Sequence, residues 1–190
     1  MMVGGKQSFG SGGYFQSAID NLLPVSMELK NEHRKLSVAM AIVMDRSGSM
    51  SMSAGAGKSK MDLANTGAAR AVELLGMMDQ VCVFAVDSAA HKIVPLIDIK
   101  DKKNAIIGKI RKIKSQGGGI YVYTGMAAAW KELQKSPAGT RHVILFSDAA
   151  DSEEPGNYRS LLAEMTKEGC TVSVIGLGTP ADSDAGFLKD

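Results

Sequence analysis

The stretch Ala39-Met-Ala-Ile-Val-Met44, running directly into Asp45-Arg-Ser47-Gly-Ser49-Met50, decides how this chain is read. An unbroken apolar run of this length suits a strand covered on both faces, as in a parallel sheet. The loop after it sets one carboxylate and two hydroxyls at alternate positions. Oxygen donors alone, two of them neutral, suit a hard divalent cation and leave coordination positions for an outside ligand. The loop is expected to bind rather than to catalyse.

Outward from this point, short apolar runs alternate with segments of helical period. Leu36–Met44 is the first predicted strand. Ser59-Lys-Met-Asp62 spells a capping box, and Leu63, Gly67, Ala71, Leu75 and Met78 follow as one apolar stripe. Val81–Val86 reads as a strand ending at Asp87, and Lys92–Ile97 as another, placed at a sheet edge by Pro95. Asp101 is expected to cap a helix carrying Ile106, Ile110 and Ile113, which ends before Gly117-Gly-Gly119. A further helix runs from about Tyr123 to Lys135. The strand His142–Phe146 closes on Ser147-Asp148. Helix Asn157–Lys167 turns Tyr158, Leu161, Leu162 and Met165 inward; strand Thr171–Leu177 follows, and a last helix starts near Asp182.

This alternation predicts an α/β fold with a mostly parallel sheet and helices on both faces. Ligands of such sheets sit beyond the carboxyl ends of the strands, where strand order reverses. Asp45 and Asp148 both fall at such ends.

The 190 residues suit one domain, with residues 1–35 as an extended Gly-rich lead-in and 36–190 as the folded part. Basic residues outnumber acidic ones by 22 to 20, so charge argues for neither a nucleic-acid nor a membrane partner. No apolar run approaches the ~18 residues of a spanning helix, and the signal-peptide order of charged then apolar residues is missing. Cys82 and Cys170 read as small buried thiols. With His33, His91 and His142 scattered, they make no zinc pattern.

Other motifs carry less. Gly55-Ala-Gly57-Lys58-Ser59 has Met52 where a phosphate loop needs glycine, and reads as a flexible Ser/Gly loop. The Gly117–Gly119 run reads as a turn between helices. Lys102, Lys103, Lys109, Arg111, Lys112 and Lys114 have no neighbouring aromatics and read as a solvated helix face. No GxSxG elbow or histidine triad is present, so a hydrolase lacks a nucleophile and a base. Asp151, Glu153 and Glu154 form an acidic loop beside the site. Arg46 either steers an anionic ligand or pairs with that loop.

Asp45-x-Ser47-x-Ser49 resembles the metal ion-dependent adhesion site of the von Willebrand factor A domain family. Phe146-Ser147-Asp148 resembles the strand that supplies its distant aspartate, and Ile175-Gly-Leu-Gly178 a strand and turn of many bacterial members. The likeness runs from about Leu36 to the end. It implies a three-layer, Rossmann-like α/β/α fold with the first strand beside the fourth and Lys92–Ile97 as an antiparallel edge. Cys82 and Cys170 would then lie three strands apart, too far for a disulfide.

The resemblance also implies a non-enzymatic protein-interaction module. Ser47 and Ser49 would hold Mg²⁺ or Mn²⁺ directly and Asp45 and Asp148 through water, with an acidic residue of a partner protein completing the shell. A second reading keeps the fold and makes the domain structural, with a degenerate, metal-free site. Ile120 stands where the family has a threonine ligand, Thr124 lies four residues later, and Ala149 replaces a common glycine.

Gly4-Gly5, Ser8-Phe-Gly-x-Gly-Gly-Tyr14, Leu23-Pro24-Val25 and Gly117–Thr124 look like parts of large membrane-associated bacterial proteins that carry a glutamine amidotransferase-like module. The chain is thus expected to be a soluble piece of a membrane-anchored protein, cut short at its C-terminus.

Overall fold

The computed structural model describes residues 37–55, 57–119, 121–148 and 156–178. All belong to the second of the two units into which the chain divides, Ser37–Asp190. Five strands form one sheet: β1 (Val38–Asp45), β2 (Gln80–Val86), β3 (Ala90–Asp98), β4 (Thr140–Ser147) and β5 (Cys170–Gly176). Their order is β3-β2-β1-β4-β5. Only the β2–β3 pair is antiparallel, so β3 is the antiparallel edge and its Pro95 is tolerated there. This is the three-layer Rossmann-like α/β/α architecture that the sequence pattern and the resemblance imply.

Alternation along the central strands assigns the layers. Ile42 and Met44 of β1, with Val81, Val83 and Ala85 of β2, face helices α1 (Lys60–Leu74) and α2 (Lys103–Ile110). Ala39, Ala41 and Val43, with Cys82, Phe84 and Val86, face α3 (Val122–Leu133) and α4 (Tyr158–Lys167). Both cores are continuous, and β1 is buried on both faces as its unbroken apolar run requires. Cys82 and Cys170 are free and buried on β2 and β5, three strands apart. Burial pushes their thiols up to about 12 and about 11.

Several local expectations need correction. Ser59 and Asp62 do form a capping box. The buried stripe of α1, however, is Met61, Ala64, Ala68, Ala69 and Val72, while Leu63 and Met78 are exposed. The helix lies too close to the sheet for large side chains: a Cβ added at Gly67 would stand 2.8 Å from the Phe146 ring. On the opposite layer, a Cβ at Gly125 would stand 2.5 Å from Val86.

Asp101 does not cap α2; it sits in a 3-10 turn, Lys100–Lys102, and the helix begins at Lys103 without a side-chain cap. The Ser/Gly loop is closed at its base. Ser53 and Ser59 bridge antiparallel, and Ala54 N–H donates to Lys58 O at 2.8 Å. The lead-in, Ile120, Ala149, the acidic loop at 151–154 and the helix near Asp182 lie outside the described residues.

Candidate functional site

β1 and β4 are neighbouring parallel strands, and the pairing of Met44 with Phe146 sets Asp45 beside Ser147, with Asp148 one step beyond. β2 flanks β1 on its other side, so strand order reverses between β1 and β4. That reversal opens the crevice in which doubly wound sheets bind their ligands. The loop after β1 turns as a short 3-10 segment, Gly48–Ser51, anchored by fully buried Met50. All four predicted site residues meet here; Asp45, Ser47 and Asp148 are buried and Ser49 is half-buried.

The cluster is a directed hydrogen-bond chain. Ser47 N–H donates to Asp45 Oδ1 at 2.8 Å, and the Ser147 hydroxyl to Asp45 Oδ2 at 3.0 Å. The Ser49 hydroxyl donates to Asp148 Oδ1 at 3.0 Å. Its only proton is thereby used, so the Ser47 hydroxyl, 3.0 Å away, donates to Ser49 Oγ. Burial raises the Asp45 pKa and the Asp148 charge adds to it, while the bonds from Ser47 and Ser147 oppose the rise.

A further bond to Asp148 comes from a residue that sequence reasoning missed. Lys60, the first residue of α1, places its ammonium 2.8 Å from Asp148 Oδ2, with 15% of its side chain exposed and none of Asp148's. The signal was within reach: a helix that caps at Ser59 must begin with Lys60, and its N-terminal end lies next to the loop after β1.

This arrangement overturns the expected cation site. Among the described residues, no group of three or more His, Cys, Asp or Glu side chains could hold a metal ion. Among the described residues, two carboxylates enter the cluster, and one already has an ammonium against it. A cation near Asp148 would meet Lys60, at roughly 4 kcal/mol of repulsion per pair of unit charges 4 Å apart at an effective dielectric of 20. The residues present do not fit Mg²⁺ or Mn²⁺. The metal-dependent interaction module, in which a partner carboxylate completes a metal shell, is corrected on the same ground.

Arg46, read as steering an anionic ligand or pairing with the acidic loop, is held by a carboxylate of the neighbouring strand. Its Nε donates to Asp87 Oδ2 at 2.7 Å, at the end of the next strand. Burial pushes the Asp87 carboxyl up, but hydrogen bonds from His91, Ala89 N–H and Arg46 outweigh it and hold the group below the usual range. The loop before α3 closes the side of the site. The Ser115 hydroxyl donates to Ser47 O at 2.6 Å, and Gln116 N–H to Arg46 O at 3.1 Å. Gly117 and Gly118 take φ of 79° and 85° there, which only glycine adopts without strain. His91 bonds Asp87 and His142 bonds Thr171, so neither activates a serine or cysteine. Thr124 lies in the first turn of α3 and is exposed.

Residues 40–150 match the family described as von Willebrand factor type A domain. No curated protein matches the chain. Among solved structures, it is similar to the conserved hypothetical protein BatB from Bacteroides thetaiotaomicron, at 19% identity and a TM-score of 0.64, over 74% of this chain and 66% of that one. An aerotolerance-related membrane protein from Bacteroides fragilis gives 17% identity and a TM-score of 0.66, over 76% and 70%. The PilB minor pilin from Streptococcus sanguinis gives 21% and 0.54, over 60% and 30%. These likenesses show a shared fold. The chain spans about two thirds of the first two proteins and less than a third of the last. Among the described residues, no helix is long and apolar enough to cross a membrane.

Proposed function

The chain belongs to the von Willebrand factor type A domain family, and from that premise we propose that it is a non-enzymatic structural and protein-interaction domain with a metal-free site. Asp45, Ser47, Ser49 and Asp148 form that site, and the ammonium of Lys60 lies against Asp148. The observation that carries this reading is the 2.8 Å contact between Lys60 Nζ and Asp148 Oδ2. A tethered ammonium supplies positive charge at the strand ends without any dependence on metal supply.

The finer reading extends to the parent protein. Residues 1–35 serve as a lead-in to the domain at 36–190, within a larger membrane-anchored bacterial protein that carries a glutamine amidotransferase-like module. Its ligand is a protein offering acidic side chains, not a nucleic acid, and this segment does not itself insert in the bilayer. The Gly-rich motifs before Leu36 and the membrane-protein relative of similar fold support this reading.

Thermal unfolding of the full chain tests the central point. A ligand that binds only the native state raises the midpoint by mass action. The expected result is an unchanged midpoint when chelator is replaced by Mg²⁺ or Mn²⁺. A rise in the wild type that Ser49→Ala removes would contradict the reading.

A further inference from the structure

We propose that a basic cleft beside the site docks an acidic segment of a partner protein; the proposal rests on reading the chain as an interaction domain and names where the partner binds. The cleft has a volume of about 470 Å³, within the range of small-ligand and peptide pockets. The edge strand lines it through Lys92 and Ile93, the loop after β1 through Arg46, and α2 with the turn after it through Lys109, Lys112, Ile113 and Lys114. The Lys92 ammonium itself turns to Glu132 on the other face of the sheet. No carboxylate lines it, although basic and acidic residues nearly balance over the chain.

The pairing of these cations separates the cleft from an ordinary solvated face. Arg46 is held by Asp87 and Lys92 by Glu132. Lys109, Lys112 and Lys114 make no ion pair among the described residues and repel one another across a concave surface. An anionic ligand would relieve that repulsion. The cleft is also built in advance, because Gln116 N–H holds the Arg46 carbonyl and the Ser115 hydroxyl holds that of Ser47. Such pre-ordering lowers the entropy lost on binding.

The lining favours a peptide over a nucleic acid. No aromatic ring is available to stack a base, and the cations converge on one cleft rather than following a backbone-length stripe. Carboxylates flanked by aliphatic side chains match Lys109, Lys112 and Lys114 beside the two isoleucines.

Fluorescence anisotropy of a labelled peptide of alternating Glu and Leu, titrated with the full chain in chelator at low salt, tests the proposal. Saturable binding that weakens with salt is expected. The combined Lys109→Glu, Lys112→Glu and Lys114→Glu variant should bind roughly tenfold more weakly or worse with an unchanged thermal midpoint. No binding by the wild type, or undiminished binding by the triple variant, would overturn the docking site and leave the metal-free reading standing. Tighter binding of a single-stranded thymidine oligomer than of the peptide would overturn it in favour of nucleic acid. Peptide binding that needs Mg²⁺ and is lost in Ser49→Ala, but kept in the triple variant, would instead bring down the metal-free reading beneath it.

Discussion

Replacing Lys60 by Met keeps most of the volume and helix propensity at the start of α1 but deletes the ammonium 2.8 Å from Asp148 Oδ2. Asp148 then loses its ammonium partner in a buried position beside Asp45, whose own carboxyl is already pushed up by burial. Removing one partner of a buried pair typically costs about 3 kcal/mol or more. Lys60→Met is therefore expected to lower stability by about 3 kcal/mol in urea unfolding, and a second change, Asp148→Asn, to recover part of the loss. Equal losses in the single and double variants would show that the pair does not act as a unit.

This is also where sequence reading stopped short. The carboxylates and hydroxyls were legible because they fall at strand ends in a fixed spacing. The place of Lys60 at the start of α1 was legible from the capping box. Its contact was not, because that depends on where α1 starts relative to a strand about ninety residues away.

At the scale of elements, the strands and the helices α3 and α4 were read to within about two residues, and α1 and α2 less well. Strand identity followed from apolar runs such as Val81–Val86 and from the proline that confines Lys92–Ile97 to an edge. In the predicted α1 stripe Gly67, Ala71 and Leu75 pack inward, but Leu63 and Met78 are exposed; close approach to Phe146 at Gly67 selects small side chains there.

The same scale carries a pH prediction. Glu132 on α3 ties that helix to the edge strand β3 through Lys92 and to its own C-terminal end through Lys135. Hydrogen bonds from Lys135 and Lys92 hold its carboxyl at about 2, below the ordinary 4.5. A carboxyl depressed in the folded state stabilises it fully above the unfolded pKa, and that contribution fades as pH falls from about 4.5 toward about 2. Glu132→Gln should therefore cost roughly 1–2 kcal/mol at neutral pH, and the gap from wild type should close across that acidic window. Urea midpoints followed through the window check this, and a gap independent of pH would refute the tie.

Over the whole molecule, the strand order β3-β2-β1-β4-β5 brings Asp45 and Asp148 to one crevice, a juxtaposition that alternation of elements and family resemblance both anticipate. What such reasoning does not reach is the occupant of the crevice. The carboxylate of Asp148 can face a metal or a lysine, and the choice is made by the helix that begins at Lys60. The account stands or falls on that choice.

The most direct test is a crystal structure of the full chain grown with Mn²⁺, read by anomalous difference density at the ends of β1 and β4. The account predicts no manganese peak there and the Lys60 ammonium against Asp148. A peak bridging Ser47 Oγ and Ser49 Oγ, with Lys60 turned away, would contradict it.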